Sequence, residues 1–254
     1  MSKEPKRNKL FLALGAFFIA NAIIAEMIGV KIFSLEKTLG FSPVTIDLLG
    51  NVFSFNMTAG VILWPMVFIM TDIINEYFGK SGVRLFTYIA IALIAYTFLT
   101  LFLAIRLEPA DFWKFKETNS GTIDMQAAYS QIFGQGLWII IGSLVAFLFG
   151  QIIDVHVFHL LKNKTGNKML WLRSTGSTLV SQFIDSFVVL FIAFYIGAGW
   201  DLKLVIGIGI VNYIYKFVVA VALTPLLYLI HQMIDAYLGK ELAEAMMAEA
   251  QKDS

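Results

Sequence analysis

Asp72, Asn75 and Glu76 stand within an otherwise apolar run. Spacings of three and four residues put all three on one face of a helix. Pro65, directly after Trp64, bends the same run and opens space beside that face. Gln151 and Asp154, three residues apart, lie in a later run, and Ser177, Ser181, Gln182 and Asp185 lie in the next. Asn212, Tyr213 and Lys216 follow in the last, while Asn21 and Glu26 occupy different faces of the first. Ionisable groups inside apolar spans are costly and usually face the bundle interior or a water-filled cavity. Five carboxylates (Glu26, Asp72, Glu76, Asp154, Asp185) stand against Lys216 and the end-lying Lys31. A carboxylate in low dielectric needs a partner or it takes up a proton. Either some of the five are protonated, or the cavity is hydrated, or a cationic or donor-rich ligand compensates them. Each reading describes a pathway for a polar solute.

Plainer roles are weighed beside this one. Glu76 also fits a cap at the cytoplasmic end of its span. Asp185 and Lys216, both near the midpoints of their spans, also fit a structural ion pair, although buried pairs are not dependable stabilisers. His156 and His159 are three apart near the inner interface and lack a third ligand. They read as headgroup-level or packing residues and not as a metal site. Gly207 and Gly209 read as close helix packing. The chain has no Cys, no Walker or zinc motif and no Ser/His/Asp arrangement. No catalytic residue, metal or cofactor is expected, and the chain does not read as an enzyme.

The elements that position these groups follow from composition. Of 254 residues, 58% are hydrophobic and only 15% charged, with mean hydropathy +0.76. A soluble domain carries about 25% charged residues. The excess implies an all-α integral membrane protein, because without an alternating barrel pattern only helices satisfy their backbone groups in lipid. A span needs roughly 20 apolar residues, and six runs qualify: 10–33, 61–78, 85–105, 137–161, 176–196 and 204–230. With the N-terminus inside, twelve Lys and Arg fall in inner segments and five in outer ones. That asymmetry places both termini in the cytoplasm, and the basic stretch Lys162, Lys164, Lys168 and Arg173 anchors the assignment. A cleaved signal peptide ending near Ala20-Asn21-Ala22 is the rival reading, but the apolar run continues past it. The expected organisation is a cytoplasmic N-terminus over 1–9, a transmembrane domain over 10–232 and a cytoplasmic tail over 233–254, of which Glu241–Ser254 reads as a frayed helix. External segments cover 34–60, as a hairpin or a re-entrant piece, and 106–136. A net charge of +1 gives no footprint for nucleic acid.

Gly150-Gln151-Ile152-Ile153-Asp154-Val155-His156-Val157-Phe158 resembles the signature of the queuosine precursor transporter family. Supporting segments follow the same order. They are Pro65 through Asp72, then Ser177-Thr178 through Asp185 with Phe191-Ile192-Ala193-Phe194, then Tyr213, Lys216 and Pro225. Glu76 and Asn212 depart from the family pattern. The resemblance implies import of 7-cyano-7-deazaguanine and 7-aminomethyl-7-deazaguanine across the bacterial cytoplasmic (inner) membrane, for salvage into queuosine. It also implies a six-helix fold similar to the substrate-binding subunits of energy-coupling-factor vitamin transporters.

Such a purine edge carries two donors that one carboxylate can accept, and its O6 suits Lys216, Gln151 or Asn212. The edge is expected on Asp154 or Asp185, with Asp72 as partner in binding or proton coupling. Glu26, Asn75, Glu76 and Gln182 are expected to line the cavity or take part in coupling. A substrate-binding subunit of an ATPase-driven vitamin or nucleobase transporter is the alternative, and a scaffold or lipid-modifying enzyme is a third reading. Association into a homo-oligomer or with an ATPase stays open.

Overall fold

The computed structural model describes residues 3–48, 50–119, 121–134, 136–165 and 169–252. Helix α1 spans Lys3–Ile28. It leads into strand β1 (Ile32–Ser34), short helix α2 (Leu35–Thr38) and strands β2 (Ile46–Leu48), β3 (Asn51–Phe53) and β4 (Asn56–Thr58). These strands make two antiparallel ribbons, β1 on β4 and β2 on β3, so the segment is a nested hairpin. Buried Glu36 stitches it, accepting from Ser34 Oγ at 2.8 Å and from the Phe55 N–H at 3.1 Å. Hydrogen bonds, first from its own backbone and then from Ser34 and Phe55, hold the Glu36 carboxyl below its usual range. Phe53 seats the hairpin on the bundle, since a Cβ at Gly207 would run into its ring. Gly209 meets Phe187 in the same way, so both glycines serve close packing.

After a 3₁₀ turn over Ala59–Ile62 comes α3, Trp64–Ile105. Short helix α4 (Asp111–Lys114) and the β5–β6 ribbon (Phe115–Thr118, Gly121–Asp124) follow, then α5 (Met125–Phe133). Helix α6 runs Leu137–Thr165, and α7 runs Leu170–Leu190 and continues as a π-helical stretch over Phe191–Ile196. The chain ends with α8 (Leu202–Ala222), α9 (Thr224–Leu238) and α10 (Lys240–Lys252). Among the described residues, five helical stretches are long and apolar enough to cross a membrane.

The α3 helix has 42 residues, roughly twice what a bilayer core needs. It breaks at Gly79, where φ is 71° and ψ −171°, a region essentially reserved for glycine. Contacts on the two sides of Gly79 run in opposite order. On the first arm Trp64 meets Phe147, Thr71 meets Gln151, Asn75 meets His159 and Glu76 meets Lys162. The reversal shows against α1: Gly60 lies by Ala25 and Phe78 by Phe11 before the break, whereas Gly82 lies by Phe11 and Phe86 by Gly15 after it. Gly79→Ala is expected to cost about 1–3 kcal/mol. The melting temperature in detergent checks this, with Gly136→Ala, where the nearest atom is 3.9 Å from the new Cβ, as the neutral comparison.

Two expectations for the C-terminal part are corrected. The run 204–230 is not one helix: α8 stops at Ala222, and Pro225 opens α9. Proline has no N–H to continue the ladder and suits a first turn. The tail is not frayed either. Leu227, His231, Ile234 and Leu238 form a buried stripe on α9, and Ala243, Met246 and Ala250 form one on α10. Tyr77 donates to Asp235 Oδ1 at 2.6 Å and lies 3.0 Å from His231 Nδ1, while Arg7 pairs with Glu249 at 3.2 Å. Helices α9 and α10 therefore pack against the end of the bundle where Gly79 lies.

Candidate functional site

Three helices bring the intramembrane polar groups together. The first arm of α3 contributes Asp72, Asn75 and Glu76, α6 contributes Gln151, Asp154, His159 and Lys162, and α7 contributes a ladder of hydroxyls. Residues 174, 177, 178 and 181 of α7 are Ser, Ser, Thr and Ser, spaced to face α3 and α6. Ser174 donates a short hydrogen bond to Asp72 Oδ2, which Thr178 also approaches at 3.5 Å. Ser181 donates to Asp154 Oδ1 at 3.0 Å. Asp72 and Asp154 are 2% and 0% exposed, and each keeps one carboxylate oxygen without a hydrogen-bond partner, Oδ1 and Oδ2 respectively.

Toward the Gly79 end, Glu76 is clamped between two cations, Lys162 at 3.1 Å and Arg173 at 2.7 Å, all three buried. His159 Nε2 meets Asn75 Oδ1 at 2.7 Å beside them. Lys162 and Arg173, read from the sequence as part of a basic inner segment, are thus buried against Glu76, and Lys168 of that segment lies outside the described residues. Of the two readings for His159, headgroup level or packing, its burial beside Asn75 fits packing within the polar core. Glu76 is an ion-paired centre and not a helix cap. The Asp72–Glu76–Asp154 group holds three carboxylates against two cations.

A cavity opens beside Asp72 between the start of α3, α7 and the junction of α8 with α9. Trp64, Phe68, Asp72, Thr178, Gln182 and Lys216 form its working surface, and Leu223, Thr224 and Leu227 close one side. Its volume is about 30 Å³, room for about two waters. Gln182 is 4% exposed, and its Oε1 has no hydrogen-bond partner. Lys216 donates to Asp185 Oδ2 at 2.6 Å. Thr175 and Thr224 hydroxyls, 3.1 Å apart, bridge α7 to α9 across the rim.

The residues singled out by sequence therefore divide. Asp72, Gln182 and Lys216 share the cavity, and Asp185 reaches it through Lys216. Asp154 lies behind the hydroxyl ladder and does not line the cavity. Gln151 accepts from Thr71 at 2.9 Å and lines a second cavity on the far side of α6. Asn212 is half-buried on α8 and lines neither cavity. Glu26 takes a short hydrogen bond from Ser143 on α6 and is not among the groups around Asp72. Ser174, Thr178, Lys162 and Arg173 were not among the expected site residues. The hydroxyl-rich pattern of 174–181 was the one available signal for the first two. Among the described residues no group of three His, Cys, Asp or Glu is arranged to hold a metal.

Comparison with known proteins is consistent with this arrangement. Residues 58–230 match the family described as "Putative vitamin uptake transporter". The chain is 31% identical over 208 residues to the "Probable queuosine precursor transporter" of Bacillus subtilis, covering 77% of this chain and 82% of that one. It is 28% identical over 180 residues to the protein of the same name in Haemophilus influenzae, covering 68% of each. It is 25% identical over 209 residues to the "Queuosine precursor transporter" of Escherichia coli, covering 78% and 84%. No solved structure matches the chain.

Proposed function

The chain belongs to the queuosine precursor transporter family, and from that premise we propose that it imports 7-cyano-7-deazaguanine and 7-aminomethyl-7-deazaguanine across the bacterial cytoplasmic membrane. One observation carries the site assignment. Asp72 Oδ1 and Gln182 Oε1 are buried acceptors without partners on the wall of one cavity. A 7-deazaguanine edge offers a ring N–H and an exocyclic amine, one donor for each. Buried acceptors left unmet are costly, so a ligand bringing both donors is favoured over one that brings neither. Lys216, oriented by Asp185, donates to the purine O6. Trp64 and Phe68 offer flat apolar faces to the ring.

The remaining polar residues support this set. Asp154 holds the hydroxyl ladder through Ser181, and Gln151 fixes Thr71 beside Asp72. Asn212, one turn ahead of Lys216, joins the site as it widens. The surplus carboxylate of the central group suits the aminomethyl cation. A two-water volume is too small for a purine, so transport requires the cavity to open, and the helix break at Leu223 lets α9 swing from its rim. Two alternating exposures of one site are the minimum for import.

The same reading makes Gly79 a turn between two antiparallel spans. That yields six crossings with both termini in the cytoplasm, the arrangement expected of a fold similar to energy-coupling-factor subunits. A cytoplasm-dependent reporter fused to either end is expected to be active. Activity at one end alone points to an odd number of crossings and overturns this topology. For function, the chain is expressed in a bacterium lacking both queuosine synthesis and its own precursor importer, with limiting precursor supplied. Queuosine in tRNA is expected to return. Its absence, with the protein well inserted, overturns the proposed substrate.

A further inference from the structure

Between the second arm of α3 and the outer face of α6 lies a cavity of about 120 Å³ that the import reading does not use. Lys80, Arg84, Tyr88 and His156 are its more exposed polar lining residues, and Thr87 and Gln151 its buried polar ones. Thr87 and Gln151 are 3% and 1% exposed, and Thr87 Oγ1 and Gln151 Nε2 have no hydrogen-bond partner. Among the described residues no carboxylate forms a salt bridge with Lys80 or Arg84. Ammonium, guanidinium, hydroxyl and amide N–H groups thus converge with no acidic side chain on the lining. Such a set suits an anion with several oxygens.

The surroundings identify the carrier of that anion. Ile152 lines the cavity, and Phe149, three residues before it on α6, continues the same face; both are about half exposed. Arg84 with Tyr88 and Ile152 with His156 are four-residue pairs, so each helix turns a polar group and an adjoining apolar or aromatic one outward. The Lys80 end adjoins the break at Gly79, where the helical arm stops and headgroups begin. Basic pockets between membrane helices are suited to anionic lipid headgroups.

We propose that this groove seats the phosphodiester of an anionic phospholipid, with its acyl chains lying along Tyr88, Ile152 and Phe149. Lys80 and Arg84 hold the phosphate oxygens, and the buried Thr87 and Gln151 donate to them. Because Gln151 also accepts from Thr71, next to Asp72, the lipid site abuts the polar core through one amide.

Native mass spectrometry of the full-length chain tests the proposal, with phosphatidylglycerol or phosphatidylcholine of matched acyl chains added to the detergent-purified protein. One phosphatidylglycerol is expected to be retained about tenfold more tightly than phosphatidylcholine. K80Q/R84Q is expected to remove that preference, and T87V, which leaves both charges in place, to reduce it several-fold. The exposed-surface control K164Q/K252Q keeps it. Equal retention of the two lipids overturns the proposal, as does a control that loses as much as K80Q/R84Q. Displacement of phosphatidylglycerol by millimolar inorganic phosphate also overturns it, since the site then takes a soluble anion. If K80Q/R84Q fails to fold, T87V reads the same site, and wild-type retention by T87V overturns the proposal.

Discussion

Asp72→Asn is expected to lower uptake of 7-deazaguanines at limiting concentration by at least about 100-fold, with insertion intact. The asparagine is nearly isosteric, so the cavity keeps its shape. What changes is the hydrogen-bonding inventory: one oxygen becomes an NH₂ that donates only, and the charge is lost. Ser174 and Thr178 already approach Oδ2. The amide is therefore expected to keep its oxygen toward these hydroxyls and turn its NH₂ into the cavity, where it opposes a donor of the purine. Replacing an attraction by a donor–donor clash in a buried site costs several kcal/mol, and a site built on specific hydrogen bonds discriminates by large factors when one is lost. Uptake followed as queuosine in tRNA measures this, with membrane abundance of the variant as the control. Normal uptake by Asp72→Asn would remove Asp72 from the binding surface.

Glu76→Gln has the largest expected effect on stability. Lys162 and Arg173 are 0% and 3% exposed and share this one carboxylate. Neutralising it leaves two like charges facing each other away from water. Breaking a buried pair by removing one partner costs about 3–5 kcal/mol. The second cation loses its contact with the same carboxylate, which adds to that cost. Adding Arg173→Gln should restore part of the loss, because the double variant leaves only one unmatched cation. A coupling of about 0.5–3 kcal/mol is the scale for residues in contact. Denaturant unfolding in detergent, run on both single variants and the double, gives the coupling. Simple additivity would mean that water already solvates the cluster.

Much of the membrane architecture was legible because long apolar runs and the scarcity of charge leave few alternatives. Asp72, Gln182, Asp185 and Lys216, proposed above as the site, stand out in the sequence for the same reason, each a polar group where lipid disfavours one. Lys162 and Arg173 do not. A cation near the end of a span looks the same in sequence whether it faces headgroups or is drawn inward by a carboxylate on another helix. The partner, Glu76, lies almost a hundred residues from Arg173. The surroundings of Asp154 were not legible either: its spacing from Gln151 gives a shared side but not which neighbour that side meets, and that neighbour is the Ser181 hydroxyl of α7. The α10 helix was read as frayed because Ala and Met at 243, 246 and 250 make a weak apolar stripe. Only packing on the preceding helices reveals its use.

The single-residue connection at Gly79 also bears on how the chain enters the membrane. The first arm carries Asp72, Asn75 and Glu76 and is a poor candidate for partitioning by itself, since charged groups at a helix centre oppose insertion. The second arm is almost wholly apolar from Leu85 to Ile105. Under the proposed six-crossing topology no loop separates them, so neither arm can wait at the membrane surface while the other crosses. Synthesis must then deliver them as a unit, with the second arm's transfer into lipid drawing in the residues on which the site depends. A substitution that stiffens Gly79 should therefore lower the yield of inserted protein as well as the melting temperature of the fraction that matures.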